Sequence, residues 1–133
     1  MKKRGILNAQ LAGYIAALGH MDLFLIGDAG LPIPAGVPIV DLVLCDGVPN
    51  FEQVLSAVLD EVEVEYYYLA EEIVGKNDRL LHFIKEALPE VDNEMMPHIK
   101  FKEFTKDVKF AIRTGEFTPF PNIVLRAGVS FPV

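Results

Sequence analysis

The amino-acid sequence predicts an α/β protein: a single domain with a mainly parallel sheet and helices on its faces. Three observations carry that reading. Segments of strand composition alternate with segments of helical periodicity, the pattern of a sheet built by crossover connections. The chain has 133 residues, 51% hydrophobic and 23% charged, enough for one core and too few for two domains. No repeat, low-complexity stretch or linker divides it, so residues 1–133 form one domain.

Asn8 is a helix cap, and Leu11, Ile15 and Leu18 share one face of a helix running to about residue 18, with Gly19 as its stop. Residues 23–26 are a continuous apolar run, as in a strand covered on both faces. They enter a stiff loop, Gly27-Asp28-Ala29-Gly30-Leu31-Pro32-Ile33-Pro34. Residues 39–44 read as a second strand interrupted by Asp41, after which Asn50 caps a helix with Val54, Leu55, Val58 and Leu59 on its apolar face. Residues 64–69 have strand composition. Asp78 starts a third helix carrying Leu81, Ile84 and Leu88, which stops before Pro89. Residues 102–109 suggest a short fourth helix, and 110–113 and 123–125 two closing strands. Ligands of such sheets sit beyond the carboxyl ends of strands, which directs attention to the 27–34 loop.

Charge narrows the function. Twelve Lys and Arg against nineteen Asp and Glu leave a formal net charge of -7, unsuited to nucleic acid or to anionic lipid. No apolar run is long enough to span a bilayer. Met1-Lys2-Lys3-Arg4 imitates the start of a secretory signal, but Asn8, Gln10 and Gly13 interrupt the apolar residues that come after it. The single cysteine, Cys45, excludes an internal disulfide and a cysteine-based zinc cage. Its flanks suggest a buried or half-buried position at a strand end. A cytoplasmic location is expected.

Three histidines are candidates for chemistry. His82 lies between Leu81 and Phe83, off the apolar stripe, and reads as a solvated helix residue. His98 comes directly after Pro97, which suggests that it begins a loop. His20 comes after the Gly19 stop and precedes Asp22 and the first strand, where the helix dipole favours an imidazolium. Position alone weighs a helix-capping role for His20 evenly against a chemical one. The intervening strand either carries Asp28 away from His20, or loops bring the two together. A metal site from His20, Asp22, Asp28 and His98 matches no familiar zinc spacing, and no metal is expected. The stretch Arg113-Thr114-Gly115-Glu116-Phe117-Thr118-Pro119-Phe120-Pro121-Asn122 offers an aromatic face and an amide suited to a sugar; its composition equally describes a structured turn. The Glu61, Glu63, Glu65 alternation and the Glu71-Glu72 pair read as a solvated face and a strand end. No phosphate-binding glycine loop and no nucleophile elbow occurs.

Several of these stretches together resemble the D-ribose pyranase family of small sugar mutarotases. They are Gly5-Ile6-Leu7-Asn8, Leu18-Gly19-His20 with Asp22, and Asp28-Ala29-Gly30-Leu31-Pro32-Ile33-Pro34. Further on come Ala70-Glu71-Glu72-Ile73, residues 98–102, Ile112-Arg113-Thr114-Gly115-Glu116 with Thr118-Pro119, and Asn122-Ile123 with Ala127-Gly128-Val129. The resemblance runs nearly end to end in the same order. It implies interconversion of the pyranose and furanose forms of D-ribose, without a cofactor. It implies His20 as proton donor, and Asp28, His98, Lys102, Phe120, Pro121 and Asn122 as substrate-binding residues. It also implies a homo-oligomer, a decamer of two pentameric rings, with pockets between neighbours.

One departure stands out. The family's usual Tyr-Ala before the asparagine is Phe120-Pro121 here, which removes a hydroxyl; a hydrogen bond lost to a sugar is worth on the order of 1 kcal/mol. Two other readings remain at this point: a mutarotase for another sugar such as L-fucose, and a sugar-binding ring protein without catalysis. The Leu31-Pro32-Ile33-Pro34 form of the loop favours ribose over fucose.

Overall fold

The computed structural model describes residues Met1–Val133. Its elements are α1 (Ala9–Ala16), β1 (Leu23–Gly27), β2 (Ile39–Asp41), α2 (Phe51–Leu59), β3 (Val64–Ala70), α3 (Asp78–Ala87), β4 (Asp92–Met96), α4 (His98–Phe104), β5 (Ala111–Arg113) and β6 (Ile123–Ala127). Short 3-10 turns lie at Glu71–Ile73 and Thr105–Asp107. The strands form one sheet in the order β2-β5-β1-β6-β3-β4.

The sheet is mixed. Parallel pairs join β2 to β5, β5 to β1 and β3 to β4, while β6 runs antiparallel to both β1 and β3. The expected mainly parallel sheet is corrected at this one strand. Residues 114–122, between β5 and β6, are too short for a crossover, which takes about a dozen or more residues. The chain therefore turns back between β1 and β3.

Side-chain alternation builds a core on each face. Phe24, Ile26, Ile112, Ile123, Leu125, Tyr67 and Leu69 point to one side, where they meet Leu11 and Ile15 of α1, Val54, Leu55 and Val58 of α2, and Leu80 and Ile84 of α3. Leu25, Ala111, Val124 and Ala70 point to the other, against Phe101 of α4, Leu31 and Val108. The apolar run of β1 is thus buried on both faces, as its composition requires. Both expected caps form. Asn8 Oδ1 accepts from the Leu11 N–H, and Asn50 and Gln53 cap α2 reciprocally at 2.9 Å each.

Four local expectations change. The second strand stops at Asp41, and Cys45 is exposed, in a turn whose Val48 N–H donates to the Cys45 carbonyl. β4 is a strand of Asp, Asn, Glu and Met that pairs in parallel with β3 at the sheet edge. Its charges keep that edge hydrated, and they also hide it from a hydropathy reading. The fourth helix begins at His98, four residues earlier than expected, so His98 does not open a loop. Pro97 restrains the residue before it, leaving His98 free to be helical, and the Glu72 carboxylate receives the His98 N–H at 2.9 and 3.0 Å. Finally, α3 buries Leu80, with Leu81 only half-buried.

Candidate active site

The carboxyl end of the parallel strands carries a compact polar constellation. β1 ends at Gly27, and Asp28 begins the next loop. Its Oδ1 accepts from the Gly30 N–H at 2.8 Å, an Asx turn that fixes the carboxylate. Its Oδ2 accepts from Asn122 Nδ2 at 3.0 Å, and Asn122 Oδ1 accepts from the Asp28 N–H at 2.8 Å. Asn122 is buried, at 1% exposure, so its amide is committed first to holding Asp28. The antiparallel course of β6 explains the meeting: its first residues lie where the parallel strands end. Gly27 makes room, because a Cβ there would stand 3.3 Å from Asn122 Oδ1 and 3.1 Å from Leu31.

The 113–119 loop forms the opposite wall. Thr114 Oγ1 donates to the Gly27 carbonyl at 2.8 Å. Glu116 is buried, taking the Phe51 N–H at 3.0 Å and the Thr118 hydroxyl at 2.7 Å. Arg113 reaches the Ala29 carbonyl and Asp41. Arg113, Glu116 and Thr118, together with Asp28 and Gly30, line an open depression of about 420 Å³, within the usual range for small-ligand clefts.

His98 joins the same end. Its ring meets that of Phe120 edge-on at 5.1 Å, and Pro121, which is buried, separates Phe120 from Asn122. Phe120 itself holds φ at 65°, a conformation rare for an aromatic residue. His98 Nδ1 is buried without a hydrogen-bond partner; a ligand hydroxyl would satisfy it. Lys102 lies four residues along α4 on the same helix face, exposed.

His20 lies elsewhere. It precedes β1 while Asp28 comes after it, so roughly 16 Å of strand separates them. His20 does not cap α1, which ends at Ala16; Lys109 Nζ instead donates to the Ala17 carbonyl at 3.0 Å. The Gly19–Asp22 turn is held by Asp22, whose Oδ2 accepts from the Gly19 N–H at 2.7 Å and from Lys109 at 2.8 Å. Met21 sits at φ 71°, and His20 projects from this turn with its side chain half exposed. Its Nε2 lies 3.0 Å from Glu65 Oε2. Glu61 and Glu65, expected on a solvated face, are engaged: Glu61 takes the Ile6 N–H, and Glu65 binds His20 and Arg126. The sequence shows the alternation of acids, but nothing in it marks which of them find partners.

The electrostatics of this end make a prediction. The Lys109 ammonium and the Gly19 N–H hold the Asp22 carboxyl below its ordinary range. A carboxyl lowered in this way adds stability that is complete above its unfolded pKa, near 4, and is lost as pH falls through the lower folded value. Melting temperature is therefore expected to decline below about pH 4, and less steeply in Asp22→Asn. An identical acid profile for the two proteins would show that this ion pair contributes nothing.

Known proteins are similar to this chain in sequence and fold. The model of the RbsD / FucU transport protein family matches residues 1–130. The chain is 50% identical over 131 residues to D-ribose pyranase of Geobacillus kaustophilus, covering 98% of this chain and 96% of that protein. It is 47% identical to D-ribose pyranase of Limosilactobacillus fermentum, covering 98% and 100%. Bacillus subtilis RbsD complexed with D-ribose superposes with a TM-score of 0.94 at 46% identity, over 98% of this chain and 100% of that one. The fucose mutarotase of Streptococcus pneumoniae in complex with L-fucose shares the fold, with a TM-score of 0.77 at 20% identity over 94% and 95%.

Proposed function

Because the chain belongs to the RbsD / FucU transport protein family, we propose that it is an isomerase that interconverts the pyranose and furanose forms of D-ribose. The observation that carries this reading is the Asp28–Asn122 clamp at the strand ends, in a chain so close to D-ribose pyranases over its full length. The likeness to the fucose mutarotase of Streptococcus pneumoniae, at 20% identity, carries the fold alone.

The reaction needs only proton transfers. A cyclic hemiacetal opens when its ring oxygen gains a proton and its anomeric hydroxyl loses one. The open aldehyde then closes through a different hydroxyl, and the protons return. C1 keeps its oxidation state throughout, so no redox cofactor enters. A positioned acid or base contributes typically about 10²- to 10⁴-fold. His20 is the proton donor. Asp28, fixed by Gly30 and Asn122, accepts from a sugar hydroxyl; His98 Nδ1 pairs with another; Lys102 closes the rim. Phe120 lays its ring against the sugar's apolar face. Pro121 stiffens the approach to Asn122.

His20 and Asp28 are too far apart in one chain to share a sugar, so the pocket lies between subunits: Asp28 on one, His20 on its neighbour. Exposed apolar side chains, among them Leu7, Leu44, Ile99 and Phe117, supply surface for such an assembly, a decamer of two pentameric rings. No helix is long and apolar enough to cross a membrane, and the lone exposed thiol of Cys45 suits the reducing cytoplasm.

NMR saturation transfer on D-ribose tests the proposal. The protein is expected to enhance transfer between pyranose and furanose signals, and to leave L-fucose exchange at its uncatalysed rate. Binding of ribose without enhancement would make the protein a carrier and refute the isomerase reading.

A further inference from the structure

A chain of charge leads to His20 from the sheet. Arg126, on β6, lies beside Glu65, on β3, because the two strands pair with Arg126 opposite Tyr66. Arg126 Nε donates to Glu65 Oε1 at 3.0 Å, and its guanidinium sits over the Tyr66 ring, 4.8 Å from the centroid. The guanidinium is thus held on two sides, and it fixes one carboxylate oxygen. The other oxygen, Oε2, faces His20 Nε2 at 3.0 Å. Glu65 is itself the extra residue at a register shift in the β3–β6 ladder, which falls between Val64 and Tyr66. Such an irregularity re-aims side chains at a strand end.

We infer that Glu65, clamped by Arg126, is the positioning residue for His20, fixing the imidazole as the Nε2–H tautomer and turning Nδ1 toward the sugar. The inference rests on the proposed role of His20 as proton donor. In the imidazolium both nitrogens carry protons. The Nδ1 proton passes to the ring oxygen of the sugar while the anomeric hydroxyl gives its proton to water, and the neutral ring that remains keeps Nε2–H donated to Glu65. When the new ring closes, the proton lost by the attacking hydroxyl restores Nδ1–H, and the former carbonyl oxygen takes its proton back from water. A carboxylate behind a histidine does this work by setting tautomer and orientation. It does not take the proton itself. The His20 hydrogen bond, with Arg126 adding to it, holds the Glu65 carboxyl below its ordinary range, in keeping with a permanently charged anchor.

The surroundings single out Glu65. The hollow beside His20, about 490 Å³, is also lined by Glu63, Glu90 and Asp92, and Asp22 stands two residues away, tied to Lys109. Of these carboxylates Glu65 alone bonds to the ring and to a cation at once.

The test compares wild type, Glu65→Gln, Glu65→Asp and Arg126→Lys by saturation transfer over a range of ribose concentrations. Nitrogen-15 spectra of the His20 imidazole report its tautomer. Glu65→Gln is expected to lower the exchange rate at saturating ribose by at least about tenfold, with KM unmoved, and to give a mixture of tautomers. Glu65→Asp is expected to recover part of the rate and the Nε2–H tautomer. Arg126→Lys, which keeps the charge but loses the fork, is expected to fall between. A wild-type rate and tautomer in Glu65→Gln would overturn the inference. So would a loss confined to KM. His20→Ala separates this failure from that of the proposed donor: if His20→Ala exchanges ribose at the wild-type rate, the donor assignment fails first. If only His20→Ala is impaired, the donor stands and Glu65 does not.

Discussion

Replacing His20 by alanine is expected to lower ring exchange by about 10²- to 10⁴-fold, the usual contribution of one acid–base group, while ribose still binds and the fold persists. The separation of effects comes from where His20 stands. Its side chain is half exposed and touches Glu65 through a single polar contact. The Gly19–Asp22 turn that displays it is held by Asp22 and Lys109, not by the imidazole. Truncation therefore opens no core cavity, and melting temperature should shift little. The proposed sugar clamp, Asp28 with Asn122, sits at the other end of β1 and is untouched. Saturation transfer and calorimetry on the variant check both halves. Exchange at the wild-type rate would remove His20 from the mechanism.

Gly115→Ala is expected to be the most damaging of the small substitutions. A Cβ at Gly115 would stand 2.7 Å from Val48 N, 2.8 Å from Val48 O and 2.9 Å from Cys45 O. All three are backbone atoms, so no side chain can swing aside. The segment cannot retreat easily either, because Gly47 N–H donates to the Gly115 carbonyl and Gly115 N–H to the Pro49 carbonyl, each at 2.7 Å. Overpacking against fixed backbone costs about 3 kcal/mol, or roughly 10 °C of melting temperature for a chain of this size. The damage reaches the site, since the neighbouring Glu116 lines the depression beside Asp28 and Thr114 holds the Gly27 carbonyl that precedes Asp28. Gly13→Ala is the control: a Cβ there meets nothing within 4 Å. In the interior of α1 it should stabilise by about 0.5–1 kcal/mol. Equal melting temperatures for Gly115→Ala and wild type would refute the packing argument.

The buried framework is legible in the sequence because burial leaves periodicity behind. The caps at Asn8 and Asn50 and the apolar run of β1 are readable for that reason. β4 is not, since an edge strand of Asp, Asn, Glu and Met gains its order from pairing with β3 and not from its own composition. The reversed direction of β6 depends on the length of the 114–122 loop, which says little until both flanking strands are placed. His98 is misplaced by sequence alone because its helix is capped from a distance by Glu72, twenty-six residues earlier. The candidate site divides in the same way. His20, Asp28 and Asn122 sit in distinctive motifs, and the family resemblance points to them. Glu65 and Arg126 are ordinary residues on strands, and only the β3–β6 register brings them together behind His20.

The most direct measurement mixes two inactive proteins. His20→Ala lacks the proposed donor and Asp28→Ala lacks the proposed sugar clamp. Dissociated together and reassembled at equal amounts, they are expected to form pockets in which one subunit brings His20 and its neighbour brings Asp28. Random assembly gives both intact halves to about one quarter of such pockets, so ring exchange should return to about that fraction of wild type by saturation transfer. Mixed assemblies, verified by mass, that stay as inactive as their parents would contradict a pocket shared between subunits.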